Sequence, residues 1–215
     1  DGETLSQRDG WPPVMPGASP SARECQTAIV WGGELFVGVW PWAELWRYNP
    51  DADAWSFVGR MFTHPEVTAD PVHPYEKECL ERDLVLNQWG QRLTSLVPSG
   101  STLLASTSAK WPIDLAEPPD FMAPEALSEY GSVIAIRTPG CISAPITWTE
   151  GATGFEFSIT GDTMTIRQDG RSLASAPLDE HMAAALAAAG DLTPLRSGSG
   201  VYGPFGGTSV RCDAR

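Results

Sequence analysis

Gln26-Thr27-Ala28-Ile29-Val30-Trp31-Gly32-Gly33-Glu34-Leu35-Phe36-Val37-Gly38-Val39-Trp40 is the stretch whose reading decides the fold. A short apolar run up to Trp31, a Gly32-Gly33 turn and a second run over Glu34–Trp40 make a hairpin. Trp40-Pro41-Trp42 breaks it. Glu44–Tyr48 alternates as a third strand, Asn49-Pro50-Asp51 is a turn signal, and Trp55–Met61 makes a fourth strand. Four short strands joined by tight turns form an antiparallel meander.

The pattern recurs. Thr94-Ser95-Leu96-Val97-Pro98-Ser99-Gly100-Ser101 and the residues up to Thr107 echo the first hairpin, and Val133-Ile134-Ala135-Ile136 echoes Leu45-Trp46-Arg47-Tyr48. A third set runs over Ala144–Trp148, Gly154–Ile159, Thr163–Gln168 and Ser172–Ala176, with Gly161-Asp162 and Asp169-Gly170 as hairpin turns. Internal repetition of four-strand units predicts an all-β fold, a partial β-propeller of two to three antiparallel blades. The alternative is a β-sandwich. Residues 1–24, polar and rich in Pro and Gly, are expected to be a linker or the tail of a preceding unit; 25–140 make two blades; 141–215 hold a third β unit, a short helix over Asp179–Ala189 and a tail.

Gly33-Glu34-Leu35-Phe36-Val37-Gly38, Glu44-Leu45-Trp46-Arg47-Tyr48-Asn49-Pro50 and Trp55-Ser56-Phe57-Val58-Gly59 together resemble a kelch-like propeller blade. The resemblance covers residues 26–60 and, more loosely, 91–140. It implies a scaffold and not a function. In such blades Trp46 and Trp55 are expected to be structural.

Composition narrows the partners. The 215 residues carry a net charge of −13, which would repel a phosphate backbone or an anionic membrane surface. Nucleic acid and membrane insertion are therefore not expected, and no apolar run is long enough to span a bilayer. A carbohydrate or protein ligand remains. The chain begins at Asp1, so it is expected to be a processed form or a piece of a longer chain, with an open blade edge through which it associates. No CxxC motif occurs among Cys25, Cys79, Cys141 and Cys212. If the protein is exported, to an extracellular or periplasmic location, a bridge is expected to tie the ends near Cys25 and Cys212. Free, buried thiols are the alternative.

A meander also predicts where function sits. The turn between the second and third strands, and the link from the fourth strand onward, emerge at the same end of the sheet. The Trp40–Trp42 break, residues 62–90 and residues 108–130 therefore share one face, and long loops on a rigid scaffold are where binding residues collect. The candidate ligand-binding residues there are Trp42, His64, Glu66, His73, Tyr75, Arg92, Lys110 and Trp111. Aromatic rings stack on sugar faces, and nine Trp in a chain of this size favour that use. No metal site or cofactor is expected, because the His and carboxylate spacing matches no closed-site motif. A binding module for a glycan or another protein is the leading reading. The rival is a polysaccharide-acting hydrolase or lyase using the loop carboxylates and histidines.

Overall fold

The computed structural model describes residues 12–50, 52–111, 118–137 and 141–178, with 183–184, 199–200 and 203–204. It is mostly β and divides into two compact units, Asp1–Val97 with Leu104–Ile134, and Pro98–Leu103 with Ala135–Arg215.

The first sheet is the expected meander. Strands β1 (Glu24–Trp31), β2 (Glu34–Trp40), β3 (Glu44–Asn49) and β4 (Ala54–Arg60) pair in sequence order, all antiparallel. Gly32 and Gly33 both have positive φ (60° and 82°), the backbone that a tight two-residue hairpin demands. Asn49 Oδ1 accepts the Ala52 N–H at 3.0 Å and closes the third turn. β1 pairs with β2 and, among the described residues, with no strand beyond residue 140.

Strand β2 is buried on both faces. On one, Val37 and Val39 pack with Trp42, Trp46, Met15, Ala18 and Val67. On the other, Gly38 faces β5: a Cβ built on Gly38 would lie 2.8 Å from Leu93 Cβ and 2.7 Å from Thr27 Cγ2. Only glycine permits this approach of the next sheet. That sheet has the order β5 (Gln91–Ser99), β6 (Thr102–Ala109), β7 (Val133–Arg137).

Of the N-terminal segment, expected as a linker or the tail of a preceding unit, residues 12–24 are described and pack onto one face of the first sheet; residues 1–11 lie outside the described residues. The segment is polar on average, yet it delivers Met15 and Ala18 to the apolar face. An ion pair then anchors it. Arg23 Nη2 donates to Glu44 Oε2 at 2.8 Å and to the Pro13 carbonyl at 2.7 Å, Nη1 donates to the Pro12 carbonyl at 3.3 Å, and Trp46 Nε1 donates to the same Glu44 oxygen at 2.7 Å. Glu44 is fully buried, and these donors are what make its charge tolerable there.

Helix α1 (Pro74–Glu81) was read from sequence as loop. His73 caps it, its Nδ1 accepting the Tyr75 N–H at 3.2 Å, and Pro74 starts the first turn. Helix α2 (Pro124–Ser128) is a short turn of helix between β6 and β7.

In the second unit the order is β10 (Arg171–Pro177), β9 (Thr163–Gln168), β8 (Phe155–Thr160). The expected strand over 144–148 does not form. Instead the Gln168 side chain takes the place of a ladder, donating to the Thr147 carbonyl at 2.6 Å and accepting its N–H at 3.0 Å. The expected helix over 179–189 lies outside the described residues except at Ala183 and Ala184, which are helical. Cys25, Cys79 and Cys141 are free thiols, and Cys212 lies outside the described residues.

Replacing Arg23 with Ala is expected to destabilise the chain by about 3–5 kcal/mol, because it strands the Glu44 charge in the core. The readout is a lower urea midpoint at unchanged slope. The paired change Arg23→Met with Glu44→Gln should lose less, since Gln still accepts from Trp46 without a charge. Equal losses would show that the charge is not what matters.

Candidate functional site

Three segments meet at one end of the first unit: the β2–β3 turn, the stretch after β4, and the stretch from β6 to β7. Each junction is a named contact. Gln91 N donates to the Pro41 carbonyl at 3.1 Å, Trp111 N to the Gln88 carbonyl at 3.3 Å, and Tyr130 Oη to the Trp89 carbonyl at 2.7 Å. Lys110 Nζ sits 4.9 Å over the Trp40 ring.

Arg60, the last residue of β4, organises the centre. Its Nη1 donates to the Pro65 carbonyl at 2.6 Å, and its Nη2 donates to the His64 carbonyl at 2.8 Å and to Gln91 Oε1 at 2.9 Å. Gln91, fully buried at the head of β5, returns its Nε2 to the His64 carbonyl at 2.5 Å. The guanidinium also lies 4.8 Å from the Trp42 ring centroid, and Trp42 stacks on His73 at 4.2 Å. A planar fork is the group that can hold two carbonyls and an amide while resting on an indole.

Glu129, just after α2, grips the same loop from outside. Its carboxylate accepts the Thr63 N–H at 3.1 Å, the His64 N–H at 3.2 Å and the Thr63 hydroxyl, and lies 3.1 Å from His64 Nδ1. With Nδ1–H donating to Glu129, the half-exposed His64 ring keeps Nε2 as its free acceptor. Thr107 fixes Glu129 in turn, its hydroxyl donating to the Glu129 carbonyl at 2.7 Å.

Burial sets the charge states. His73 is driven down to about pKa 3 by desolvation and by the neighbouring Arg60, so it is neutral. Arg60 falls to about 10, chiefly through burial and against the pull of Glu129, and stays cationic at neutral pH. Burial would raise the Glu129 carboxyl, but hydrogen bonds from Thr63 and His64 outweigh it and hold the group below its usual range. Burial pushes the Tyr130 and Tyr75 hydroxyls up.

The eight sequence candidates divide sharply. Trp42 (2% exposed), His73 (3%) and Tyr75 are corrected from ligand contacts to core: Trp42 packs with Val37, Val39 and Met15, and Tyr75 packs with Cys79, Trp89 and Met122. Long acidic and Pro-rich loops bury backbone of their own, and these aromatics shield it. The same reason weakens the tryptophan count as a sign of ligand stacking, since Trp31, Trp40, Trp42, Trp46 and Trp89 are all buried. His64, Glu66 and Trp111 are at the surface, Arg92 is half-buried, and Lys110 covers Trp40. His73 and Trp42 are buried while His64, Glu66 and Trp111 are at the surface, so the candidates do not form one exposed set. Several loop carboxylates are taken up in ion pairs, Asp70 with Lys77 and both Glu78 and Asp120 with Arg82. Among the described residues no three His, Cys, Asp or Glu side chains gather as for a metal ion.

Sequence reasoning missed Arg60, Thr63, Gln91, Glu129 and Tyr130. A polar Gln at an inward strand position was the available signal for Gln91. Glu129 lies 65 residues from His64 and carried none.

One further feature marks this end. Trp40 Nε1, Arg60 Nε, His73 Nε2 and Arg92 Nε are buried without a hydrogen-bond partner. All four are N–H donors; His73 carries its proton on Nε2 because Nδ1 accepts from Tyr75. Buried donors are rarely left unpaired in a folded chain. Comparison with models of known families, with curated proteins and with solved structures gives no match.

His73 makes stability depend on pH. Unfolded, its ring takes up a proton near pH 6.5; folded, it stays neutral down to about 3. Between those values the unfolded chain binds the extra proton. The contribution is therefore complete above about pH 6.5 and falls as the pH drops toward 3, by up to about 1.4 kcal/mol per pH unit. His73→Asn keeps a capping acceptor for Tyr75 and should flatten this dependence, measured as urea midpoints at neutral pH and at mildly acid pH. Parallel curves for the two proteins would contradict it.

Proposed function

We propose that this chain is a binding module of a propeller-like β protein and that its ligand is an acidic glycan, taken up at the loop end of the first unit. The observation that carries this reading is that Arg60 and Arg92, two cations of this end, each bury an Nε donor without a hydrogen-bond partner. Hydroxyl and carboxylate oxygens are the complementary acceptors. In a chain of net charge −13, Arg60 at the end of β4, Arg92 at the head of β5 and Lys110 over Trp40 offer three cations to a ligand of opposite sign. Trp111, exposed beside Lys110, offers a ring face for a sugar. The blade-like reading of the scaffold draws support from the four-strand meander and from the close approach of β2 to β5 at Gly38. An exported location goes with a ligand of this class.

One observation favours a second reading. Glu129 orients the His64 imidazole and leaves Nε2 free, the arrangement of a general base in a hydrolase or lyase acting on polysaccharide.

Titration calorimetry with uronate-containing and neutral oligosaccharides tests the first reading. Arg92→Ala is expected to weaken binding of the acidic oligosaccharide about tenfold or more, the scale of a lost charge-assisted hydrogen bond, and added salt should weaken it further. Binding of an acidic peptide in place of any glycan would transfer the site to a protein ligand, and no binding of either would remove the proposal. Release of shortened or unsaturated sugar, lost in His64→Ala with binding retained, would make the second reading the correct one.

A further inference from the structure

We propose that two copies of this chain associate by pairing their β8 strands edge to edge, antiparallel, across a two-fold axis at Phe157. This surface belongs to the second unit and is independent of the ligand site proposed above.

Among the described residues, strand β8 is an edge of its sheet. Its ladder to β9 runs without a bulge from Phe155↔Gln168 to Thr160↔Thr163. Thr160 and Thr163 flank the two-residue turn Gly161-Asp162, where Gly161 has φ +62°, so they form a hydrogen-bonded pair. The pairs alternate from there. Glu156, Ser158 and Thr160 therefore spend their backbone groups on β9, while Phe155, Phe157 and Ile159 turn N–H and C=O toward the free edge.

The side chains of those three residues share one face with Met164, Ile166 and Gln168, their cross-strand partners. Met164 and Ile166 are buried, but Phe157 is 70% exposed, and Phe155 and Ile159 are exposed beside it. Gln168, opposite Phe155, also holds the Thr147 backbone, and the adjoining Trp148 is 83% exposed. An apolar, unbroken edge strand of this kind is a template for pairing.

Among the described residues, the other edges of the three- and four-stranded sheets are guarded. β1 has a bulge between Cys25 and Thr27. β4 ends on Arg60, and its pairing with β3 is irregular between Leu45 and Trp46. β5 contains Arg92 and Pro98, and β7 ends on Arg137. β10 contains Arg171 and Pro177 and has a bulge between Ser172 and Ala174. β8 has none of these devices and carries a single charge, Glu156.

The register selects a second copy as the occupant. With the axis at Phe157, the outward-facing groups of Phe157 meet those of its symmetry mate as a hydrogen-bonded pair. Phe155 then falls opposite Ile159 of the second copy, and Glu156 falls opposite its Ser158. The strand's one charge never meets its like, and aromatic faces aliphatic. The pairing is isologous and closes at two copies. Each copy carries −13, so their long-range repulsion opposes the dimer and salt should relieve it.

Sedimentation velocity of the full chain, from about 1 to 200 μM, measures the association. A monomer–dimer equilibrium is expected, tighter at higher salt. Phe157→Lys sets two like charges directly opposite across the axis and should raise the dimer Kd about tenfold or more. Position 157 is exposed, so folding should be unaffected, as checked by circular dichroism. Val30→Lys, on an exposed position of β1, should dimerise as the parent does. A parent that is monomeric throughout, a Phe157→Lys variant that dimerises like the parent, or open-ended growth past the dimer would each overturn the proposal.

Discussion

The guanidinium of Arg60 is the interaction on which the loop end of the first unit depends. It closes three separate backbone and side-chain groups, the carbonyls of His64 and Pro65 and the amide oxygen of Gln91, with one planar fork. Through Gln91 it ties the end of β4 to the head of β5, 31 residues later. Backbone carbonyls must find donors somewhere, and here Arg60, with Gln91 at the His64 carbonyl, supplies them. The loop that presents His64 is therefore held from beneath by Arg60 and from outside by Glu129. A site gripped in this way is preorganised.

Aromatic residues serve mainly as packing in this chain. Trp42, His73, Tyr75 and Phe121 follow one another at ring separations of 4.2, 5.5 and 5.9 Å, and Phe62, Tyr130 and Trp89 do the same at 4.8 and 5.6 Å. The segments around them are rich in proline and charge and build little regular structure. Large rings with a polar edge can fill such irregular space and still satisfy a carbonyl, as Tyr130 does at Trp89. The surplus of tryptophan is thus a consequence of how the long segments are anchored.

The two faces of the first sheet are completed by different means. Gly38 lets the next sheet come close on one side. On the other side, the segment before β1 supplies Met15 and is locked by the Arg23–Glu44 pair. A buried carboxylate in the middle of that anchor makes the position of the segment specific, because Glu44 needs the donors of Arg23 and Trp46 in place at once.

The sequence by itself determined the local architecture. Turn residues, β-branched and aromatic alternation and the doubled glycine set the strands of the first meander to within one or two residues, because hairpins are chosen by neighbours a few positions apart. It also announced the end of the sheet at which the long segments emerge, which follows from strand direction alone. Side-chain fates were decided by tertiary structure. Trp42 and His73 stand in a turn and a long loop, where local pattern reads them as exposed, and they became core when the residues around them closed overhead. Glu129 and Gln91 acquired their roles from partners tens of residues away. Contacts of this range depend on which sheets pack together, and no short window of sequence carries that information.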